Sequence, residues 1–80
     1  MSDDPVFLAI EYARGGEHQA AYETLIGALR RDPRDARAWA VMAAVVENAD
    51  VARSCLRRVL DLAHDPRLTG WAKHQLDRLP

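Results

Sequence analysis

The sequence has little of what catalysis or covalent stabilisation usually draws on. Its 80 residues contain one cysteine, Cys55. That excludes an intramolecular disulfide and suits a reducing interior. Aromatic residues make up only 6% of the chain, and Lys73 is the sole lysine, so the basic side is almost entirely arginine. Neither sign of charge is in excess: 11 basic side chains stand against 12 acidic ones, a net charge of −1. A general phosphate-backbone binder needs a basic surplus, and none is present. No apolar run approaches the roughly 18 residues of a membrane span. Met1-Ser2-Asp3-Asp4 is acidic where a secretory leader needs a basic start. The expectation is a soluble cytoplasmic protein with no membrane partner. Runs of alternating β-branched residues are missing too, which leaves nothing to read as a strand.

Alanine and helix punctuation are abundant. Small apolar side chains let helix axes approach closely, and 80 residues suffice for one core only, so 1–80 reads as a single all-α domain. Asp4 and Pro5 form a cap and first residue for a helix that Gly15-Gly16 stops. The Asp3-Asp4 pair reads as part of that cap. A second helix spans about Glu17 to Arg31, with Ala21, Tyr22, Leu25, Ile26, Ala28 and Leu29 at spacings of three and four. Asp32-Pro33 ends it. Asp35 caps a third helix from Ala36 to about Asn48, with Trp39, Met42, Ala43 and Val46 on one stripe. Asn48-Ala49-Asp50 reads as a tight turn, with Asp50 capping a fourth helix that turns Val51, Ala52, Leu56, Val59 and Leu60 inward and ends near His64. A last helix begins between Pro66 and Trp71 and ends at Leu79, which makes about five helices.

The punctuation repeats. Leu8-Ala9 and Tyr12 return 34 residues later as Met42-Ala43 and Val46, and Asp32-Pro33 returns 33 residues later as Asp65-Pro66. That period belongs to stacked helix-turn-helix units. The chain resembles the tetratricopeptide repeat family over about residues 2–66. In unit one, 2–35, the residues that carry the likeness are Leu8, Ala9, Tyr12, Gly16, Ala21, Leu25, Ala28 and Pro33; Pro5 stands where the family usually has tryptophan. In unit two, 36–66, Trp39, Met42, Ala43 and Val46 match the first helix. Ala52, Leu56 and Val59 match the second once about three residues are deleted from the turn. The run Trp39, Asp50, Arg53, Cys55-Leu56 and Arg57-Arg58-Val59-Leu60 is similar to short bacterial two-repeat modules. Residues 67–80 then stand as a capping helix.

The resemblance implies an α-solenoid fragment of antiparallel helix pairs, acting as a scaffold or adaptor that takes a peptide or partner helix in a groove lined by the first helix of each unit. Helical geometry sets Val6, Phe7, Ile10, Ala13 and Arg14 on that face in unit one, and Arg37, Ala40, Val41, Ala44 and Glu47 in unit two. Phe7, Ile10, Val41 and Ala44 would supply the apolar contact, with Arg14 and Arg37 orienting the ligand. Two alternatives remain: the last helix covers this face through Leu76 or Leu79, or two copies pair across it as a homodimer. Gripping an acidic chaperone tail is argued against by Val6, Ile10 and Val41, which occupy positions where the family would supply lysine or asparagine.

No enzyme and no cofactor is read from the chain. His18, His64 and His74 are scattered without ligand spacing, Cys55 has no identifiable base, and Gly15-Gly16 is a helix stop rather than a phosphate loop. Arg30, Arg31, Arg34 and Arg37 round the central turn, with Arg53, Arg57 and Arg58 on the fourth helix, form a lesser rival signal for RNA or an acidic partner. Most of these have local explanations: helix C-termini favour Arg30 and Arg31, Arg53 has Asp50 at pairing distance, and Arg57 or Arg58 has Asp61.

Overall fold

Gly-Gly, Asp-Pro and Asn steps divide the described residues into five helices: α1 (Pro5–Arg14), α2 (His18–Arg31), α3 (Ala36–Val45), α4 (Ala49–Leu62) and α5 (Pro66–Arg78). The structure is a computed structural model that describes residues 4–80. The reading of Asp3 as a cap, and the start of unit one at Ser2, fall outside the described residues. Among the described residues there is no strand, and no helix is long and apolar enough to cross a membrane. The protein is all-α.

Four of the helices start on the same device, a side-chain oxygen that accepts from the first free backbone N–H groups. Asp4 accepts from the Val6 N–H at 2.9 Å, Asp35 from Arg37 at 3.0 Å, Asn48 from Asp50 at 2.8 Å and Asp65 from Arg67 at 2.9 Å. Helix α1 closes with a Schellman turn, in which Glu17 N–H reaches the Tyr12 carbonyl and Gly16 N–H the Ala13 carbonyl. Gly16 sits there at φ 79°, a left-handed conformation that only glycine adopts cheaply.

The second turn is built differently, and two expectations fail there. Helix α3 ends at Val45 rather than near Asn48, because Val46 is already extended (ψ 146°). Asn48, not Asp50, caps α4; its side chain serves both Asp50 and Val51 N–H groups, so Asp50 lies inside the first turn and pairs with Arg53 at 2.7 Å.

Short connections make successive helices antiparallel neighbours. Helix α1 packs on α2, α2 on α3, α3 on α4 and α4 on α5, and α1 also touches α3. The shortest molecular dimension, 20 Å, is two helix diameters, hence two layers. One core joins Val6, Ala9, Ala21, Leu25, Leu29, Ala38, Met42, Val45 and Cys55; a second joins Ala40, Leu56, Val59 and Ala72, with Leu68, Leu76 and Leu79 against it. Ala9, Ala21, Ala38 and Ala72 are wholly buried at helix crossings, where only a methyl group fits between close axes.

The repeat equivalences hold unevenly. Met42 is buried, but its counterpart Leu8 is 46% exposed. Met42 is met by the side chains of α2, whereas no described helix precedes α1 to cover Leu8. Val51 and Tyr22 also face outward, although the spacing of apolar residues predicts Val51 on the inward side of α4.

Candidate functional site

Helices α1 and α3 lie side by side, and α5, packed on α4, brings Leu68 and Trp71 to their shared face. The space between them forms two adjoining hollows. One, of about 380 Å³, is lined by Ile10, Ala13, Arg14, Ala40, Val41, Ala44, Leu68 and Trp71. The other, of about 260 Å³, is lined by Asp4, Val6, Phe7, Ile10, Arg37, Ala40, Val41 and Leu68. They share Ile10, Ala40, Val41 and Leu68 and form one groove. Nine of the ten residues assigned to that face from the sequence, all but Glu47, therefore line this groove.

Their roles divide in ways the helical wheel did not foretell. Val6 and Ala40 are not displayed but buried, at 2% and 8% exposure, and form the floor. Val6 is held down by the α1–α2–α3 core, and Ala40 is covered by α4 and α5 through Leu56, Val59 and Ala72. Ile10 and Val41 are half-buried walls, while Ala44 and Phe7 stand open, Phe7 at 54%. Glu47 falls beyond the end of α3 and borders a different hollow with His18, Asn48 and Val51, so it does not rim the groove.

Helix α5 supplies what sequence reasoning missed. Leu76 and Leu79 do not fold over the groove; they pack into the second core beside Leu56 and Val59. Leu68 and Trp71 instead form the far wall, with Trp71 left 36% exposed. The two are three residues apart and so share a helix face. That signal was readable, but only once Pro66 was known to start the helix.

The charged groups at the ends differ. Arg37 reaches across to Asp4 at 3.0 Å, with its own Asp35 at 3.9 Å, so it ties the start of α3 to the start of α1. Asp4 is held below the usual carboxylate range, first by the Val6 N–H it accepts and then by the Arg37 guanidinium. Arg14, at the other end, meets only Glu11, at 3.8 Å, and its side chain is largely in solvent.

The remaining titratable groups form no centre. Burial pushes the Cys55 thiol up, which disfavours its thiolate. Among the described residues no group of three His, Cys, Asp or Glu side chains is placed to hold a metal ion. The Arg58 guanidinium does not meet Asp61 but lies over the Trp39 ring, 5.7 Å from its centroid. The Trp39 indole N–H donates to the Pro33 carbonyl at 2.8 Å.

Comparison with known proteins found no match among family models, curated proteins or solved structures.

Proposed function

We propose that the protein is a non-catalytic, tetratricopeptide-like interaction module of a reducing, cytoplasmic interior that seats a peptide or a partner helix in the α1–α3–α5 groove. The observation that carries this reading is the groove itself: an open channel walled by Ile10, Val41, Leu68 and Trp71, with Phe7 exposed at one end. Contiguous exposed apolar surface on a small protein usually belongs to an interface. Helix-in-groove recognition uses walls of this chemistry, with an amphipathic face laid against them. In this reading Arg14 orients the ligand, since its guanidinium is largely solvated, and Arg37 is committed to holding α1 and α3 together.

A second reading, self-pairing about a two-fold axis, is favoured by the balance of charge at the rim. Each end carries one acid and one base, Asp4 with Arg37 and Glu11 with Arg14, so an inverted second copy meets no like-charge excess. One pair of variants separates the two. A partner retained by the wild-type chain from host extract should be lost with Phe7→Asp and with Val41→Asp, while both variants still melt cooperatively. Sedimentation across a concentration series should show a monomer. A dimer that Phe7→Asp splits would transfer the groove to self-association. Retention that neither variant affects would remove it from both readings.

A further inference from the structure

A second cleft lies on the other side of α3. Ala40, Val41 and Ala44 face the groove, whereas Trp39 and Met42 project about half a turn away and floor a hollow of about 470 Å³ between α2 and α4. Tyr22 and Ile26 wall it on α2, and Val51 and Cys55 on α4. Tyr22 and Val51 are 40% and 45% exposed, among the most open large apolar side chains of the molecule.

The two ends of the cleft differ in charge, with Glu47 beside one and arginines at the other. His18, Gln19 and Asn48, from the N-terminal ends of α2 and α4, gather with Tyr22 and Val51, so the two helices run in the same direction. At the far end stand Arg30, which lines the cleft, and Arg58, which covers Trp39. Arg34 follows Pro33, another lining residue. Of the arginines elsewhere, Arg14, Arg37, Arg53 and Arg67 each have an acidic partner, and among the described residues Arg78 at the end of α5 has none. Among the described residues Arg30, Arg31, Arg34, Arg57 and Arg58 form no ion pair, although Asp32 and Asp61 are near them in sequence. A chain with no overall basic surplus thus concentrates five of its six unpaired arginines, among the described residues, in the two segments that end this cleft.

We propose that the α2–α4 cleft is a second docking surface, which takes an acidic segment of another protein by seating an apolar side chain between Tyr22 and Val51 and setting carboxylates against Arg30 and Arg58. Exposed guanidinium groups beside an apolar slot select that combination: the slot supplies affinity, and the arginines supply register and attraction for carboxylates. A protein segment fits better than RNA because the slot is walled mainly by aliphatic and sulfur groups and Trp39 is already covered by Arg58, which leaves few faces for base stacking. This surface is independent of the α1–α3–α5 groove, so either assignment can fail alone.

The test is a phage-displayed library of random short peptides, selected on the whole 80-residue protein and counter-screened on two variants, Arg30→Glu/Arg58→Glu and Val41→Asp. Arg30 and Arg58 are both exposed, and a circular-dichroism melt verifies each variant's fold. The expected result is enrichment of peptides with Asp or Glu beside Leu or Phe, which bind the double variant about tenfold more weakly and Val41→Asp equally well. Backbone amide shifts induced by the best peptide should cluster at Tyr22, Ile26 and Val51. Selection without acidic enrichment overturns the proposal, as does failure to enrich any peptide. Acidic peptides lost on Val41→Asp but kept by the double variant would move the site to the groove and equally overturn it. Filter retention of poly(U) that the double variant abolishes, with no peptide enriched, would assign the basic end to RNA.

Discussion

At the scale of single residues, position in the stack decides what a side chain does more than its type. Leu8 and Met42 occupy equivalent places in the repeat pattern, yet one is open and the other buried. Val6 and Phe7 are neighbours in the chain; one is floor and the other rim. Asp4 has two tasks at once, capping α1 and holding Arg37. Because its folded pKa lies below the ordinary 3.8, its contribution to stability is present above that pH and is lost as pH falls through the folded value. Asp4→Asn keeps a capping oxygen but loses the charge. Its stability should therefore vary less than that of the wild type on acidification below about pH 4, with the two proteins converging at the acid end. Denaturant midpoints measured at several pH values check this, and parallel curves would contradict it.

At the scale of elements, the starts of α1 and α3 were legible, and those of α4 and α5 and the end of α3 were not. Asp4 and Asp35 announce their helices because a short acceptor just before a helical run has one dominant use, capping, whereas the start of α5 stayed open between Pro66 and Trp71 until Asp65 was seen to cap it. The Gly15-Gly16 stop was equally plain, since a left-handed residue at the end of a helix calls for glycine. The α3–α4 turn offers neither glycine nor proline. Asn48 and Asp50 are both good caps, and local pattern does not choose between them. The choice falls to Asn48, whose side chain meets two N–H groups while Asp50 is taken by Arg53. Asn48→Ala should lower stability by about 1 kcal/mol, and Asp50→Ala by a smaller amount typical of an exposed helical pair, about 0.3–0.5 kcal/mol. Thermal melts of the two variants give the order directly; the reverse order would restore Asp50 as the cap.

At the scale of the whole molecule, α5 is the element that joins fold to site. It buries Ala72 against Leu56 and Val59, and from the same helix Leu68 and Trp71 wall the groove. Arg53 of α4 also donates to the Pro80 carbonyl beyond its end. A chain ended at Asp65 would leave the second core open on one side. Fully burying a large aliphatic side chain is worth about 1.5–3 kcal/mol, and a domain of this size has only about 4–12 kcal/mol in total. Losing the partial burial of Leu68, Leu76 and Leu79 together with that of Leu56 and Val59 should thus abolish cooperative unfolding. A sharp melt within a few degrees of the full chain would show instead that α1–α4 stand alone.

Capping chemistry and the three-and-four spacing of apolar residues depend on neighbours within a turn or two, so the amino-acid order alone settled that five helices form and, to within a few residues, where they begin. The same periodicity brought Phe7, Ile10, Val41 and Ala44 to one face. Depth is another matter. Whether Val6 or Ala40 is floor or surface, whether Leu8 is covered, and which face α5 turns to α3 depend on contacts between segments tens of residues apart. Those were decided only when alanine-lined helices closed on one another, because burial is a property of the assembled layers and not of any single helix.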